Sequence, residues 1–362
     1  MTESNPRIKV GVIGCGQAAV RGHLPALRHV RGAEVIAVSD TDAHRLKRVA
    51  DQFGIPRRYG EYAELVDDPQ IDAVGVCVPT GSHLEVASAV LDAGKHLFLE
   101  KPLALTLAEC DELIERAGRA TSLTMLGFNM RWHRQAREAR ALVRRGILGP
   151  IRMIRSVFAC HWASDLVLPE WRKRRELGGG ALVDEGAHDF DLWRFLLDRE
   201  VEEVYAVTRR DVVDDEVVAV VARMTDGILA TSSIVERVSS EYVVEILGLD
   251  GRLVASLFRF DGLSFIPALH RPGDPRVRLA AVANTLKDLP RALLRPGGRN
   301  DYDGSFVAEW QHFVDSVRQG TAPECTFLDG RRSLEIVLAA AQSASLGQPV
   351  RVAEAPNALM PF

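Results

Sequence analysis

The chain has few cysteines, no long apolar run and no excess of basic charge. Its five cysteines are scattered, odd in number and never spaced as C-x-x-C, so neither a disulfide framework nor a structural zinc site is indicated. No uninterrupted apolar run approaches the roughly 18 residues that a membrane-spanning helix requires. The formal charge of −4 gives no electrostatic reason to expect binding to nucleic acid or to an anionic membrane.

The first residues also lack the apolar core of a signal peptide, and an acid, Glu3, stands among them. Together with the scattered cysteines, this predicts a cytoplasmic protein. Hydrophobic residues make up 47% of the chain and charged residues 26%, as is usual for a soluble globular enzyme. A chain of 362 residues is too long for one compact core. We therefore predict two domains, 1–126 and 127–362.

The first third of the chain alternates short β-branched runs with helical stretches, a pattern typical of a parallel sheet with crossover helices. Connections are short, as βαβ units require. The predicted strands are 8–13, 35–38, 73–78, 96–99 and 123–126. The predicted helices are 42–53, 82–93 and 107–119.

After about residue 128 strands follow one another with little helix between them, which indicates a largely antiparallel sheet with an open face. Segment 262–303 contains Pro, Arg and Gly and gives no clear pattern. The predicted strands of this part are 151–159, 201–208, 217–224, 228–235, 243–247 and 252–257. The predicted helices are 134–145, 181–197, 306–318 and 329–346.

The glycine-rich segment 14–19, GCGQAA, follows the first predicted strand and opens a helix. It matches the pattern G-x-G-x-x-G/A, with Gln17 and Ala18 inside the turn. Gly14 and Gly16 let the backbone turn tightly and approach a pyrophosphate, whose charge then lies at the N-terminus of a helix. At the first βα turn of a chain, this pattern predicts a dinucleotide site.

Asp40 ends the second predicted strand, where a dinucleotide-binding fold carries an acid. Its carboxylate can bond a ribose 2′-hydroxyl and would repel a 2′-phosphate, which favours NAD over NADP. Alternatively, Asp40 caps the helix that follows it. Arg45 and Arg48 lie just downstream and weaken the preference for NAD.

Lys101 follows a predicted strand at the edge of the sheet where ligands bind, between Glu100 and the turn-forming Pro102. A lysine at that place can point into the ligand crevice. The alternative is a solvated surface lysine, the usual state of this residue in a loop.

Asp184 and His188 are four residues apart on a predicted helix, so both project from one face, and Asp191 lies about one turn further. A histidine beside a carboxylate can be held in one tautomer and act as a general acid or base near neutral pH. Alternatively, the pair only stabilises an exposed helix. One histidine among acids is not a convincing zinc ligand set, and we predict no metal site.

Several blocks, in order and over nearly the whole chain, resemble the glucose–fructose oxidoreductase / inositol dehydrogenase (Gfo/Idh/MocA) family of NAD(P)-dependent oxidoreductases. The 78–83 block carries Gly81 where the family usually has Asn. The matching blocks are VGVIGCG at 10–16, VPTGSH at 78–83, AGKHLFLEKP at 93–102, GFNMRW at 127–132, GGGALVDEGAHDFD at 178–191 and LGQPV at 346–350.

The resemblance implies an N-terminal NAD(P)-binding Rossmann domain. It also implies a C-terminal α/β domain for substrate binding and oligomerisation, whose open-faced, mostly antiparallel sheet serves in homodimer or homotetramer contacts. It makes NAD the expected cofactor, with NADP as the alternative. It implies a catalytic set of Lys101, Asp184 and His188. It implies cofactor contacts from Gly14, Gly16, Gln17, Ala18, Asp40, Arg45, Pro79, Thr80, His83, Glu100, Lys101, Asn129, Trp171 and Arg172. It implies substrate contacts from Lys101, Arg131, His161, Asp165, Asp184 and His188.

Aromatic and polar residues cluster just before the predicted helix at 181–197. Trp171 and Arg172 resemble a pair that reaches the cofactor or substrate in some family members. Trp162 is more simply explained as ordinary core.

The expected activity is hydride transfer between nicotinamide and a ring hydroxyl or ketone of a sugar, sugar derivative or cyclitol. Two alternatives remain: a glycosidase of the related fold that retains NAD, and a non-catalytic regulator that senses the cofactor. Fold alone does not choose among substrates. Segment 262–303 is where we expect features particular to this chain.

Overall fold

A computed structural model describes residues 6–161, 168–271, 273–293 and 301–359. Its contacts divide the chain into two compact units. The first unit comprises Met1–Asn129 together with a later segment, Phe306–Arg332. The second unit comprises Met130–Ser305 and Ser333–Phe362.

The first unit contains a six-stranded sheet in which every pair of neighbouring strands is parallel, in the order β3-β2-β1-β4-β5-β6. The order reverses between β1 and β4, which confirms the predicted Rossmann arrangement. The strands are β1 (Ile8–Ile13), β2 (Ala33–Ser39), β3 (Arg57–Tyr59), β4 (Ala73–Val76), β5 (His96–Glu100) and β6 (Thr124–Gly127). The helices between them are α1 (Leu24–Leu27), α2 (Ala43–Phe53), α3 (Tyr62–Asp67), α4 (His83–Asp92) and α5 (Leu107–Arg119).

Local sequence signals explain where α2 begins and ends. Asp42 is the N-cap, and its carboxylate accepts hydrogen bonds from the backbone N–H groups of His44 and Arg45. Gly54 ends the helix in the left-handed conformation, at φ 68°, where glycine is favoured. The capping alternative raised for Asp40 therefore belongs to Asp42, two residues later.

Two short elements, β3 and α3, were not predicted. β3 has only three residues, Arg-Arg-Tyr, too few to show the alternation that identifies a strand. The helix expected after the glycine-rich turn begins as a π-helical turn, Ala19–His23, before it continues as α1.

The second unit contains an eight-stranded sheet in the order β13-β12-β11-β7-β10-β9-β8-β14. The predicted antiparallel character is confirmed, with β7 and β10 as the one parallel pair among the described strands of this second sheet. The strands are β7 (Ile151–Cys160), β8 (Val201–Arg209), β9 (Val217–Met224), β10 (Leu229–Glu236), β11 (Glu241–Gly248), β12 (Gly251–Ser256), β13 (Leu263–Pro267) and β14 (Val350–Arg351). The helices from residue 130 onward are α6 (Arg134–Arg144), α7 (Glu170–Lys173), α8 (Ala181–Leu197), α9 (Pro275–Leu293), α10 (Asp301–Gln319) and α11 (Phe327–Leu346).

One face of this sheet is covered and the other is open. Alternate residues of β9 are buried and exposed along its whole length, as expected for a sheet with one solvated face. The open face carries apolar side chains that remain more than one-third exposed, namely Val157, Tyr205, Val207, Val217, Val221 and Leu229. Such a contiguous apolar surface is typical of an interface.

Segment 262–303, which gave no sequence pattern, contributes β13 and α9. None of the described side chains of α9 is buried. Thr285 anchors the helix through its hydroxyl, which donates to the carboxylate of Asp261 at 2.8 Å. No helix in the described part of the chain combines the length and the apolar character needed to cross a bilayer.

A buried carboxylate ties α8 to the covered face of the sheet. Asp189 is fully buried and accepts hydrogen bonds from the hydroxyls of Ser156 at 2.6 Å, Ser232 at 2.5 Å and Tyr242 at 3.2 Å. The indole N–H of Trp193 donates to the Ser156 hydroxyl at 3.0 Å. Three strands, β7, β10 and β11, therefore hold this helix through one side chain.

Burial raises the pKa of Asp189 from 3.8 to about 6, although its three hydroxyl donors act in the opposite direction. Between these pH values the native state holds a proton that the unfolded chain has released, so the free energy of unfolding falls as the pH rises. The difference between the two pKa values corresponds to about 3 kcal/mol.

We predict that Asp189→Asn removes the fall in the free energy of unfolding with rising pH, because the amide stays neutral at every pH. Urea unfolding of wild type and variant at pH 4 and pH 7 measures this difference. Relative to wild type, the variant should gain about 2 kcal/mol in unfolding free energy between these pH values, because the unfolded carboxyl is already partly ionised at pH 4. A difference that is the same at both pH values would contradict the buried neutral acid.

Candidate functional site

In the first unit, the two glycines of the turn after β1 have different environments. Gly14 has φ +92°, and a Cβ there would lie 2.4 Å from the carbonyl oxygen of Cys77, so the fold itself requires glycine. A Cβ at Gly16 would meet nothing within 4 Å. Gly16, together with the exposed Gln17 and Ala18, therefore presents open backbone where a ligand can approach.

Asp40 follows β2 at the same edge of the sheet. Its Oδ2 accepts the backbone N–H of Cys15 at 2.8 Å, and its Oδ1 accepts that of Asp42 at 2.8 Å. Arg45 adds two bonds, Nε to Oδ2 at 2.8 Å and Nη2 to Oδ1 at 2.7 Å. These four donors use the four lone pairs of the carboxylate. A ribose hydroxyl can therefore bond Asp40 only if one donor moves, and the half-exposed Arg45 side chain is the one free to do so.

Burial acts to raise the pKa of Asp40, but the hydrogen bonds from Arg45, Asp42 and Cys15 outweigh it and hold that pKa below its usual value. The neighbouring thiol responds in the opposite way. Burial and then the Asp40 charge raise the pKa of Cys15 to about 12, so it remains a neutral thiol and not a nucleophile.

The segment after β4 brings Pro79, Thr80 and His83 to this edge. Pro79 is exposed and Thr80 is buried at the start of a short 3₁₀ turn. The ring of His83 is also buried, with Nδ1 2.9 Å from the carbonyl oxygen of Pro102 and Nε2 3.0 Å from that of Val78. Burial lowers the pKa of His83. This ring therefore links the ends of two neighbouring strand segments.

Glu100 is the last residue of β5, and both of its carboxylate oxygens are engaged. Oε2 accepts the backbone N–H of Lys101 at 2.9 Å, and Oε1 lies 2.6 Å from Nε2 of His23. The Lys101–Pro102 peptide bond is cis. Lys101 is only partly exposed, at the edge where parallel sheets bind ligands. The partial burial of Lys101 and its place at this edge favour the site interpretation over a solvated surface lysine.

In the second unit, the triple glycine before α8 packs tightly. A Cβ at Gly179 would lie 2.3 Å from the carbonyl oxygen of Arg172, and one at Gly180, where φ is +80°, would lie 2.8 Å from that of Asp214. Side chains at these glycines would push the preceding loop away. Glycine therefore lets Arg172 lie against the first turn of α8.

The Arg172 guanidinium donates to Oδ2 of Asp184 at 2.7 Å. The charge of Asp184 raises the pKa of Arg172. Burial acts to lower it and Glu185 to raise it, and the net shift is upward. Asp184 and His188 both remain partly exposed, while Glu185, Ala187 and Asp189 on the same helix are buried. The structure thus confirms that both residues lie on α8, one turn apart, and keeps them accessible.

The other predicted site residues differ in their surroundings. Arg131 is buried and paired with Asp191, through Nε to Oδ2 at 2.7 Å and Nη2 to Oδ1 at 2.5 Å. Asn129, in the first unit, is buried, and Trp171 is partly exposed. His161 is exposed, and its backbone N–H donates to the Ser240 hydroxyl. Asp165, like Trp162, lies outside the described residues.

One group with metal-ligand chemistry occurs among the described residues. Ligand atoms of Cys160, Glu185 and Glu236 lie within 4.8 Å of one another, and all three side chains are buried. Burial raises the pKa of Glu236. Arg172 Nη2, 3.9 Å from Oε1 of Glu185, supplies positive charge beside this group.

Sequence reasoning missed two residues near Lys101. His23 lies one turn beyond the glycine-rich segment, and Trp310 comes more than two hundred residues later, on α10. The Trp310 indole N–H donates to Nδ1 of His23 at 2.9 Å. No spacing rule connects such distant positions, although a histidine just after a dinucleotide fingerprint was a visible signal.

Comparison with known families gives two matches. Residues 8–128 match a family model described as an oxidoreductase family with an NAD-binding Rossmann fold. Residues 136–254 match the GFO/IDH/MocA C-terminal domain. Together these matches cover more than half of the chain.

Individual relatives agree with these matches. The chain is 30% identical to a myo-inositol 2-dehydrogenase of Thermotoga maritima, over 96% of this chain and 99% of that protein. It is 31% identical to a dTDP-3,4-didehydro-2,6-dideoxy-alpha-D-glucose 3-reductase of Actinomadura kijaniata, over 88% and 94% of the two chains.

A solved levoglucosan dehydrogenase, in complex with NADH and levoglucosan, has the same fold. The TM-score is 0.81 at 24% identity, over 96% of this chain and 99% of that one.

Proposed function

Because the chain belongs to the GFO/IDH/MocA family of NAD-binding oxidoreductases, we propose that it transfers a hydride between NAD and a ring hydroxyl or ketone of a sugar, sugar derivative or cyclitol. The observation that carries this proposal is the combination of an open dinucleotide turn at Gly16 with an accessible Asp184 and His188 on α8.

The residues of the first unit fit NAD. The open backbone at Gly16 accommodates a pyrophosphate at the start of the π-helical turn, and Asp40 accepts a ribose hydroxyl once Arg45 moves aside. When bound, the nicotinamide supplies the carbon that accepts or donates the hydride. Carbon–hydrogen chemistry therefore belongs to the cofactor, and the protein residues position groups and move a proton.

We assign the transfer of the substrate hydroxyl proton to His188. Its imidazole takes this proton during oxidation and returns it during reduction. Lys101 donates a hydrogen bond to the same oxygen and stabilises the negative charge that develops there. Asp184, oriented by Arg172 at 2.7 Å, assists the imidazole. Arg131, His161 and Asp165 remain proposed substrate contacts.

We propose that the two domains divide these tasks, with residues 1–126 binding the cofactor and 127–362 binding substrate. Neither alternative function gains support. A regulator would not need Lys101 and His188, and both are present. If the chain were the NAD-retaining glycosidase, the purified protein would carry bound cofactor and would not turn over added NAD.

We propose a homodimer or homotetramer formed through the second unit's sheet. The exposed apolar residues of the open face support it, because a monomer rarely leaves such a surface in water.

Val221, in the centre of β9, is 52% exposed, and we predict that Val221→Arg lowers the molar mass measured by light scattering. Leu346→Arg, equally exposed on α11, is the control; unchanged mass in both variants contradicts this interface.

We also propose a cytoplasmic location, supported by five buried cysteines, none of which forms a disulfide.

We predict that His188→Ala lowers kcat by about 10²-fold or more, since general-base catalysis typically contributes 10²–10⁴. NAD affinity should change little, because the dinucleotide turn belongs to the other unit. Lys101→Ala should lose activity comparably. Lys101→Arg should rescue it poorly, because the guanidinium has a different shape and donor geometry.

Steady-state rates with inositols, pyranoses, sugar acids and nucleotide-linked sugars, with melts to confirm folding, check these variants. Lys47→Ala, an exposed lysine of the same unit, is the matched control and should behave as wild type. Full activity in folded Lys101→Ala or His188→Ala would end the corresponding catalytic assignment.

We predict that the chain prefers NAD and that Asp40→Ala reduces this preference by about tenfold or more. The change removes repulsion of a 2′-phosphate and releases Arg45 to bind that phosphate. The ratio of kcat/KM for NAD and NADP measures the effect. Arg45→Ala is the matched control, because it frees the carboxylate and should retain the NAD preference. Wild-type preference for NADP would contradict the role of Asp40.

A further inference from the structure

Trp310 is fixed against the strands that end at the proposed site. Within the first unit, its ring stacks on Phe98 of β5, with centroids 4.2 Å apart and planes inclined by 17°. A Cβ at Gly75 of β4 would lie 3.0 Å from the indole, so glycine there leaves room for the ring. The indole N–H therefore has a fixed position and direction, toward Nδ1 of His23 at 2.9 Å.

This contact decides where the proton of His23 lies. An indole N–H is a donor only, so Nδ1 must accept. The proton of the neutral ring is then on Nε2, which donates to Oε1 of Glu100 at 2.6 Å. The other oxygen of Glu100 accepts the Lys101 backbone N–H at 2.9 Å. A continuous chain of hydrogen bonds thus runs from Trp310 to the backbone of Lys101.

Two effects compete at the His23 ring. Burial disfavours a charge on it, but Cys77 and Glu100 outweigh burial and raise the pKa of His23 well above its usual value. The indole N–H opposes this, because a second proton on Nδ1 would confront that donor at 2.9 Å. Burial, and then the Glu100 charge, raises the pKa of Glu309, and neither of its carboxyl oxygens has a hydrogen-bond partner among the described residues. Burial therefore disfavours a second anion beside His23.

We propose that Trp310 and His23 are positioning residues for Lys101. Trp310 selects the Nε2–H tautomer of His23, this tautomer orients the Glu100 carboxylate, and Glu100 fixes the backbone from which the Lys101 side chain extends. The proposal rests on the catalytic role proposed for Lys101, whereas the tautomer can be tested without it.

The first test is the ¹⁵N NMR spectrum of protein labelled at histidine, with the His23 signals assigned by their loss in His23→Gln. Wild type should show the neutral Nε2–H tautomer at pH 7. Trp310→Phe keeps an aromatic ring on Phe98 but removes the donor, so Nδ1 becomes free to take a second proton beside Glu100. That variant should show an imidazolium. An imidazolium or an Nδ1–H ring in wild type would overturn the proposal.

The second test is kinetic. His23→Leu removes the donor to Glu100 and should lower kcat by about 10- to 100-fold, the scale expected when a reacting group is misplaced by about 1 Å. His23→Gln places an amide donor near the same position and should restore most of kcat. KM for NAD should change less than kcat in both variants. Equal loss in both, or none in either, contradicts positioning through a donated hydrogen bond.

The third test separates this proposal from the proposed function. If His23 acts through Lys101, His23→Leu should cost little further activity in a Lys101→Ala background. Additive losses would overturn the proposal even if Lys101 is catalytic. Full activity of the single variant Lys101→Ala would instead contradict the catalytic role proposed for Lys101, whichever tautomer His23 adopts. Thermal melts accompany each variant, and if His23→Leu does not fold, the same cycle is run with Trp310→Phe.

Discussion

Parallel pairing of strands is the constraint on which the first unit's site depends. Because all six strands run in one direction, every strand ends at the same edge of the sheet. Gly14 follows β1, Asp40 follows β2, and Glu100 and Lys101 end β5. Residues far apart in sequence thereby reach one edge without any long-range pattern to bring them together. The same pairing orders the rest of the unit, since each crossover helix must return the chain to the opposite edge.

In both units, a buried carboxylate is held by several hydrogen-bond donors. Asp40 has four donors, and Asp189 in the second unit has three. The consequences differ because the donors differ. A guanidinium and backbone amides keep Asp40 ionised, whereas neutral hydroxyls in a buried setting leave Asp189 with a pKa of about 6. The depth of burial and the type of donor together set the charge of each acid.

Much of this arrangement was predictable from local sequence. The glycine-rich turn, the strand before Lys101 and the helix that bears Asp184 and His188 are each encoded within a short segment, through periodicity, caps and glycines. The sequence pattern also showed the antiparallel character of the second sheet. What it did not show depends on tertiary contacts. The pairing of Arg172 with Asp184 needs the packing of the triple glycine, and the contact of Trp310 with His23 joins positions 287 residues apart. Helix α9 escaped prediction because none of its described side chains is buried, so no periodic core face marks it.

The inclusion of Phe306–Arg332 in the first unit has a consequence for synthesis on the ribosome. When residue 129 emerges, all six strands of the parallel sheet exist, but Trp310, which stacks on Phe98, does not. At typical rates of about 5–20 residues per second, that ring follows only on the order of ten to forty seconds later. During this interval Phe98 of β5 and the imidazole of His23 lack their contacts with Trp310. The N-terminal unit of this enzyme is therefore completed only after Met130–Ser305, most of the second unit's chain, has been made.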